Sequence, residues 1–265
     1  MAEIFLEAIE KNEKLTFPVR ESNKSRVVGK LRYWWSWLVA AVLLIFIAAP
    51  SMIFLFIIDR RIWLFPLTKW GARTWLSACG ATVKVTGREN LDPERSYVFA
   101  SNHRSYLDTA TLFFYAGQKM GLVAKKELLA VPIFGQGMSF VNIIAIDRSN
   151  PEKALASMKK AQDIMKQGYS FGVFVEGTRG LPGELLPFKK GAFHLALQTG
   201  SPIVPIAIKN TDWMMGKRTG VAYSGEIDMV LLPPIETTSF AAEGGLMELL
   251  KKTRVAIAKE LSRES

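Results

Sequence analysis

From Tyr33 to Ile58 (YWWSWLVAAVLLIFIAAPSMIFLFII) the chain carries 26 consecutive positions without a charge. A helix of that length matches what the hydrocarbon core of a bilayer requires. Tyr33, Trp34, Trp35 and Trp37 crowd its entry, as expected of amphipathic rings at a headgroup boundary. The run begins well into the chain and is too long for the apolar part of a secretory signal. A buried helix of a soluble core is the alternative. Pro50 divides the run into pieces of 17 and 8 residues, too short for two full spans. Lys24, Arg26, Lys30 and Arg32 precede it, and Arg60, Arg61, Lys69 and Arg73 follow, so charge bias gives no orientation. A tilted span and a kinked segment dipping into one leaflet both fit. The second is preferred, because both basic flanks then face one anionic lipid surface. Residues 1–32 hold five Glu against seven Lys plus Arg and no sustained apolar face beyond Ile4–Ile9. They predict a mobile or interfacial segment.

Beyond the run, Ile62–Ala78 interleaves Trp63, Phe65, Trp70 and Trp75 with Lys69 and Arg73, a pattern suited to an interfacial helix. The periodicity then changes to short β-rich runs: 82–86, 97–101, 141–146, 171–175, 203–208 and 227–232. Helical patterns fall between or after them at 107–115, 151–167, 188–199 and 245–261. Pro151 suits a first helical position, and Gly200 suits a terminator. Strands alternating with helices predict an α/β domain with a largely parallel central sheet flanked by helices. The division expected is an N-terminal segment (1–32), a hydrophobic membrane-anchoring helical segment with its interfacial helix (33–79), and a globular domain (80–265).

Composition narrows the classes. Half of the 265 residues are apolar, which excludes intrinsic disorder, and a mean hydropathy of +0.14 is high for a chain living wholly in water. One cysteine, Cys79, permits neither an internal disulfide nor a cysteine-rich zinc site, and two histidines permit no multi-histidine site. No metal and no cofactor is expected. The net charge of +10 fits nucleic acid or an anionic membrane, but the basic residues form no single run and no nucleic-acid module appears. No nucleic-acid partner is therefore expected.

No phosphate-binding G-x-x-x-x-G-K-[ST] loop and no G-x-S-x-G elbow is present. The informative stretch is Ser101-Asn102-His103-Arg104-Ser105-Tyr106-Leu107-Asp108. It runs from a strand end into a helix start, where function on α/β sheets gathers. If the turn folds back, Asp108 accepts from His103 Nδ1 and leaves Nε2 free as a base. The alternative is that Asp108 only favours a helix N-terminus.

Three further blocks stand in order: Gly137–Arg148 (GMSFVNIIAIDR), Phe174–Arg179 (FVEGTR), and Val204-Pro205-Ile206. With the first stretch they resemble the four motifs of the glycerolipid acyltransferase family, the 1-acylglycerol-3-phosphate acyltransferases. Ala124–Leu128 and Pro187–Gly191 are similar to that family too, and the resemblance covers about residues 80–235. One departure is Val175, where the family usually has Pro before the Glu. The resemblance implies transfer of an acyl group from an acyl-CoA or acyl-carrier-protein thioester to the sn-2 hydroxyl of a lysophospholipid, lysophosphatidic acid, at the cytoplasmic face of the bacterial inner membrane.

The residues suit that chemistry. An alcohol attacking a thioester needs a base and needs no covalent enzyme intermediate. His103 and Asp108 supply base and orienter. Arg148 and Arg179 offer planar donor forks for a phosphate monoester. Gly177 lets backbone approach closely, and Thr178 can donate a hydrogen bond. Glu176 either positions Arg179 or binds the acceptor, and the resemblance implies acceptor binding. Lys125 and Lys126 either assist substrate binding or form a solvated face. His194 lacks a neighbouring carboxylate and reads as structural. Two further readings remain, the same chemistry on another lysolipid and a non-catalytic lipid-binding protein.

Overall fold

Val98 and Ala100 face one apolar core while Phe99, between them, faces another, as the two-residue period of a strand dictates. The computed structural model, which describes residues 7–58, 64–117, 119–147, 150–240 and 242–263, repeats that division across a seven-stranded sheet. Its strands in chain order are β1 (Leu15–Thr16), β2 (Ala81–Thr86), β3 (Val98–Ser101), β4 (Met120–Lys125), β5 (Ile143–Ile146), β6 (Ser170–Phe174), β7 (Glu184–Leu185), β8 (Ile203–Lys209) and β9 (Gly225–Leu231). The large sheet has the order β2-β9-β8-β3-β6-β4-β5, and β1 pairs with β7 apart from it. Only the β8–β9 pair in the large sheet is antiparallel among the described residues.

The helices are α1 (Arg26–Ile57), α2 (Leu64–Ala78), α3 (Leu107–Tyr115), α4 (Phe134–Met138), α5 (Pro151–Met165), α6 (Gly191–Thr199), α7 (Thr211–Met215) and α8 (Gly245–Leu261). Leu55, Leu64, Leu76 and Leu112 join Phe99 and Ile206 on one face of the sheet. Phe193, Leu249 and Ile257 join Val98, Ala100 and Phe171 on the other. Helices thus cover both faces, as a mostly parallel sheet requires.

The apolar run extends further towards the N-terminus than its uncharged core. Helix α1 is unbroken over 32 residues, and only 6% of its most apolar window is buried. It is therefore not the core helix of a soluble domain. By length and composition it can cross a membrane, at about 48 Å for 1.5 Å per residue. The helix continues through Pro50, the residue at which a kink was expected. A π-helical turn over Leu43–Ala48 lies directly before that proline, and its wider loop absorbs the hydrogen bond that Pro50 cannot give.

Two other expectations differ. Residues 12–17, read as part of a mobile or interfacial segment, are docked on the domain. β1 pairs with β7, Asn12 exchanges two hydrogen bonds with Phe188 backbone at 3.0 and 2.8 Å, and Ile9 and Leu15 are buried. The buried guanidinium of Arg254 donates to the carbonyls of Glu13 and Leu186 and to Asn12 Oδ1. Strand β4 has no counterpart among the expected strands. It packs so tightly that a Cβ at Gly121 would lie 2.4 Å from Asn142 O and 2.6 Å from the Phe171 ring.

Candidate active site

Parallel strands place their carboxyl ends along one edge of a sheet, and the turns leaving them are free to carry chemistry. β3 ends at Ser101, and Asn102 fixes the exit. Its amide donates to Ile208 O at 2.9 Å and accepts from Ile208 N at 2.8 Å. The chain then turns into α3. Ser105 Oγ accepts from Leu107 N at 3.1 Å and donates to Met215 O at 2.7 Å, which satisfies a helix N-terminal donor and pins the turn to α7.

The turn folds back as its spacing suggested. Asp108 Oδ2 lies 2.9 Å from His103 Nδ1 and also accepts the backbone N–H groups of Arg104 and Ser105 at 2.6 and 2.7 Å. Asp108 is fully buried. A carboxylate that accepts from two amides is held as an acceptor, so the imidazole proton belongs on Nδ1 and Nε2 carries the lone pair. Phe174 stacks on the imidazole at 3.9 Å with planes 16° apart, fixing its tilt. The His103 side chain keeps 15% of its surface exposed. A base of fixed tautomer is thus open on one side.

Glu176 sits beneath this turn. Its Oε1 accepts from His103 N and its Oε2 from Leu186 N, both at 2.6 Å, and the residue is 1% exposed. Both oxygens accept from backbone, so Glu176 ties the His103 turn to the loop at Leu186. Burial pushes its carboxyl up to about 8, against the Leu186 and His103 amides and Arg104, which pull it down. The departure at Val175 contributes here. Its N–H donates to Ser101 O at 3.1 Å, a ladder bond that proline could not make. It extends the β3–β6 pairing to the residue before Glu176.

Gly177 adopts φ of 73°, in the left-handed region, and Thr178 is exposed. Gly180 N–H then donates to His103 O at 2.9 Å, so Arg179 is delivered beside the base. Its guanidinium lies 3.6 Å over the Tyr106 ring. The structure therefore brings together His103, Asp108, Glu176, Gly177, Thr178 and Arg179. Lys125 is set apart: it is exposed, pairs with Glu127 at 3.1 Å, and leaves β4, two strands from β3, about 10 Å away at ordinary strand spacing. Lys126 pairs with Asp147 at 2.9 Å. Arg148 lies outside the described residues. His194 is on the exposed side of α6.

Several contributors escaped sequence reasoning. Arg104 pairs with Asp212 at 3.0 Å in a buried ion pair and donates to Glu184 O at 2.7 Å, while Asp212 also accepts from Gly183 N. Lys217 donates from its backbone to Arg104 O and from its side chain to Arg179 O. Arg104 was visible within the first motif. Asp212, Lys217 and Phe174's stacking carry no local signal, because each acts only across tertiary contacts. Among the described residues no cluster of His, Cys, Asp and Glu suits a metal ion.

The acyltransferase family model matches residues 82–209, from β2 to the end of β8. The 1-acyl-sn-glycerol-3-phosphate acyltransferase of Saccharomyces cerevisiae is 36% identical over 187 residues, covering 69% of this chain and 61% of that protein. The human 1-acyl-sn-glycerol-3-phosphate acyltransferase alpha is 32% identical over 188 residues, covering 70% and 66%. The chain thus spans less than two thirds of the length of these curated relatives. The crystal structure of the 1-acyl-sn-glycerophosphate acyltransferase PlsC from Thermotoga maritima superposes with a TM-score of 0.76 at 22% identity, covering 91% of this chain and 99% of that one. That likeness carries the fold.

Proposed function

We propose that this chain, which belongs to the acyltransferase family through residues 82–209, moves a fatty acyl group from a CoA or acyl-carrier-protein thioester to the sn-2 hydroxyl of lysophosphatidic acid. The product is phosphatidic acid, and the site of action is a membrane, read as the cytoplasmic face of the bacterial inner membrane. The observation that carries this reading is the His103–Asp108 pair, with Nδ1 engaged at 2.9 Å and the ring partly open.

In this reading His103 Nε2 takes the proton of the acceptor hydroxyl as its oxygen attacks the thioester carbon. The tetrahedral intermediate then collapses, the C–S bond breaks, and the leaving thiolate recovers the proton from the imidazolium. Asp108 stabilises that imidazolium and fixes its orientation without itself being protonated. Arg179 holds the acceptor's phosphate through its in-plane donors, with Arg148 as a second fork and Thr178 as a hydroxyl donor. Glu176 ties the His103 turn to the loop at Leu186. Helix α1 supplies the membrane attachment from which a lipid acceptor is drawn.

A thiol-release assay with lysophosphatidic acid and acyl-CoA or acyl-carrier protein tests this. Release that depends on lysophosphatidic acid, and that His103→Ala lowers below a few per cent while membrane association persists, is the expected result. Release only with other lysolipids assigns a different acceptor. No release with any acceptor, or full turnover by His103→Ala, defeats the reading.

A further inference from the structure

Arg179, if it is to hold a substrate phosphate, must itself be held in place. Among the described residues no carboxylate pairs with it, and its backbone carbonyl accepts from Lys217. Its guanidinium carbon instead lies over the Tyr106 ring, 3.6 Å from the centroid, the spacing of a stacked cation. Tyr106 precedes α3, three residues after the base and two before Asp108. Its ring is met edge-on by Trp37 of α1, at 5.4 Å and 89°. Trp37 in turn packs against Trp75 of α2 at 6.0 Å and Tyr33 at 6.1 Å.

We propose that Tyr106 is the positioning residue for Arg179, and that through Trp37 it couples the acceptor-binding cation to the seating of helix α1. The inference rests on the proposed phosphate-binding role of Arg179. Stacking engages only the face of a guanidinium. All its N–H donors point outward in its own plane, so a ring beneath it fixes that plane and leaves the fork free for a phosphate. A carboxylate partner would fix the side chain too, but would occupy the same donors. The ring also meets helix α1, which touches the domain along one side while Trp34, Leu38 and Phe46 on it are exposed. A shift of α1 relative to α2 therefore moves Trp37, then Tyr106, and then the plane of Arg179.

The test uses the full chain in detergent or lipid. Tyr106→Leu is expected to raise the KM for lysophosphatidic acid about tenfold, with kcat within about twofold and the donor KM unchanged, on the scale of one stacked cation–ring contact. Tyr106→Phe restores the parent KM, since the ring and not the hydroxyl supplies the platform. Trp37→Leu raises KM by about threefold, and adds nothing once Tyr106→Leu is present. An unchanged KM in Tyr106→Leu, a loss confined to kcat, or a Phe variant as poor as the Leu variant overturns the proposal. Calorimetric binding of sn-glycerol 3-phosphate separates this from failure of the functional reading. If the parent turns over no lysophosphatidic acid, the positioning role still requires parent and Tyr106→Phe to bind that probe more tightly than Tyr106→Leu. Equal binding by all three, or none by the parent, overturns it.

Discussion

The two turns that leave β3 and β6 lie side by side, yet they are built in opposite ways. The His103–Asp108 turn is held from inside: a fully buried carboxylate accepts three donors, a side-chain amide locks the strand exit, and a phenylalanine fixes the imidazole plane. The Gly177–Arg179 turn is held from outside. It has an exposed threonine, a left-handed glycine, and a cation resting on a half-exposed ring. A proton-transfer group must be placed to within fractions of an ångström before substrate arrives. In the proposed reading, a charge that meets a mobile lipid headgroup has wider tolerance, and its open donors recognise the ligand.

Breaking each turn should therefore damage different kinetic constants. The largest effect is expected for Asp108→Asn, which keeps the shape but removes the charged acceptor from Nδ1; kcat should fall by about 10³- to 10⁴-fold with acceptor KM little changed. Single-turnover assays check it, and a large KM effect would erase the contrast between the turns. Arg179→Ala comes next. Acceptor KM should rise by about 10- to 100-fold, and kcat at saturation should move far less, if the lost contact serves binding as proposed.

Glu176→Gln tests the buried link between the turns. Its amide must set an NH2 against an N–H donor of either His103 or Leu186, at a cost of about 2 kcal/mol in stability. The carboxyl it replaces is raised by burial from its ordinary value of 4.5 to about 8. A group raised in the fold contributes its full stability below its unfolded value, and loses that contribution as pH climbs through the folded one. The gap in Tm between parent and Glu176→Gln should accordingly shrink from pH 4.5 to 8, as scanning calorimetry would read. A widening gap would place the charged carboxylate in the fold. The smallest effect belongs to Val175→Pro, which removes the bond to Ser101 O at a cost of about 1 kcal/mol, with kcat largely kept.

How much of this could be read from the sequence follows from how local each signal is. The spacing of His103 and Asp108 lies within one turn, so the paired geometry was legible. Alternating runs such as Thr82–Thr86 announced themselves as strands. Met120–Lys125 did not. Its Met120, Gly121 and Leu122 are all buried, so it shows no polar alternation, and the glycine that weakens its strand signal is demanded by Asn142 and Phe171. The π turn over Leu43–Ala48 was not legible either, because apolar residues alone do not announce one. The two amides bound by Glu176, those of His103 and Leu186, were not legible for a related reason, since a carboxylate beside Gly-Thr-Arg does not reveal distant backbone donors. Tyr106 and Arg179 are 73 positions apart, and only the adjacency of β3 and β6 makes them neighbours.

The clasp formed by Asn12, Glu13 and Arg254 joins positions more than 240 residues apart. A ribosome releases the first of these long before the last, so Asn12 and β1 can meet Phe188 and β7 first, and Arg254 joins them only after α8 has emerged. Helix α1 and every strand of the large sheet leave earlier. The Arg254 contacts are thus among the last to form, and they secure a segment whose loop is already closed at Phe188. Refolding after Arg254→Leu should leave formation of the sheet nearly unchanged and accelerate unfolding, the mark of a contact made after the transition state.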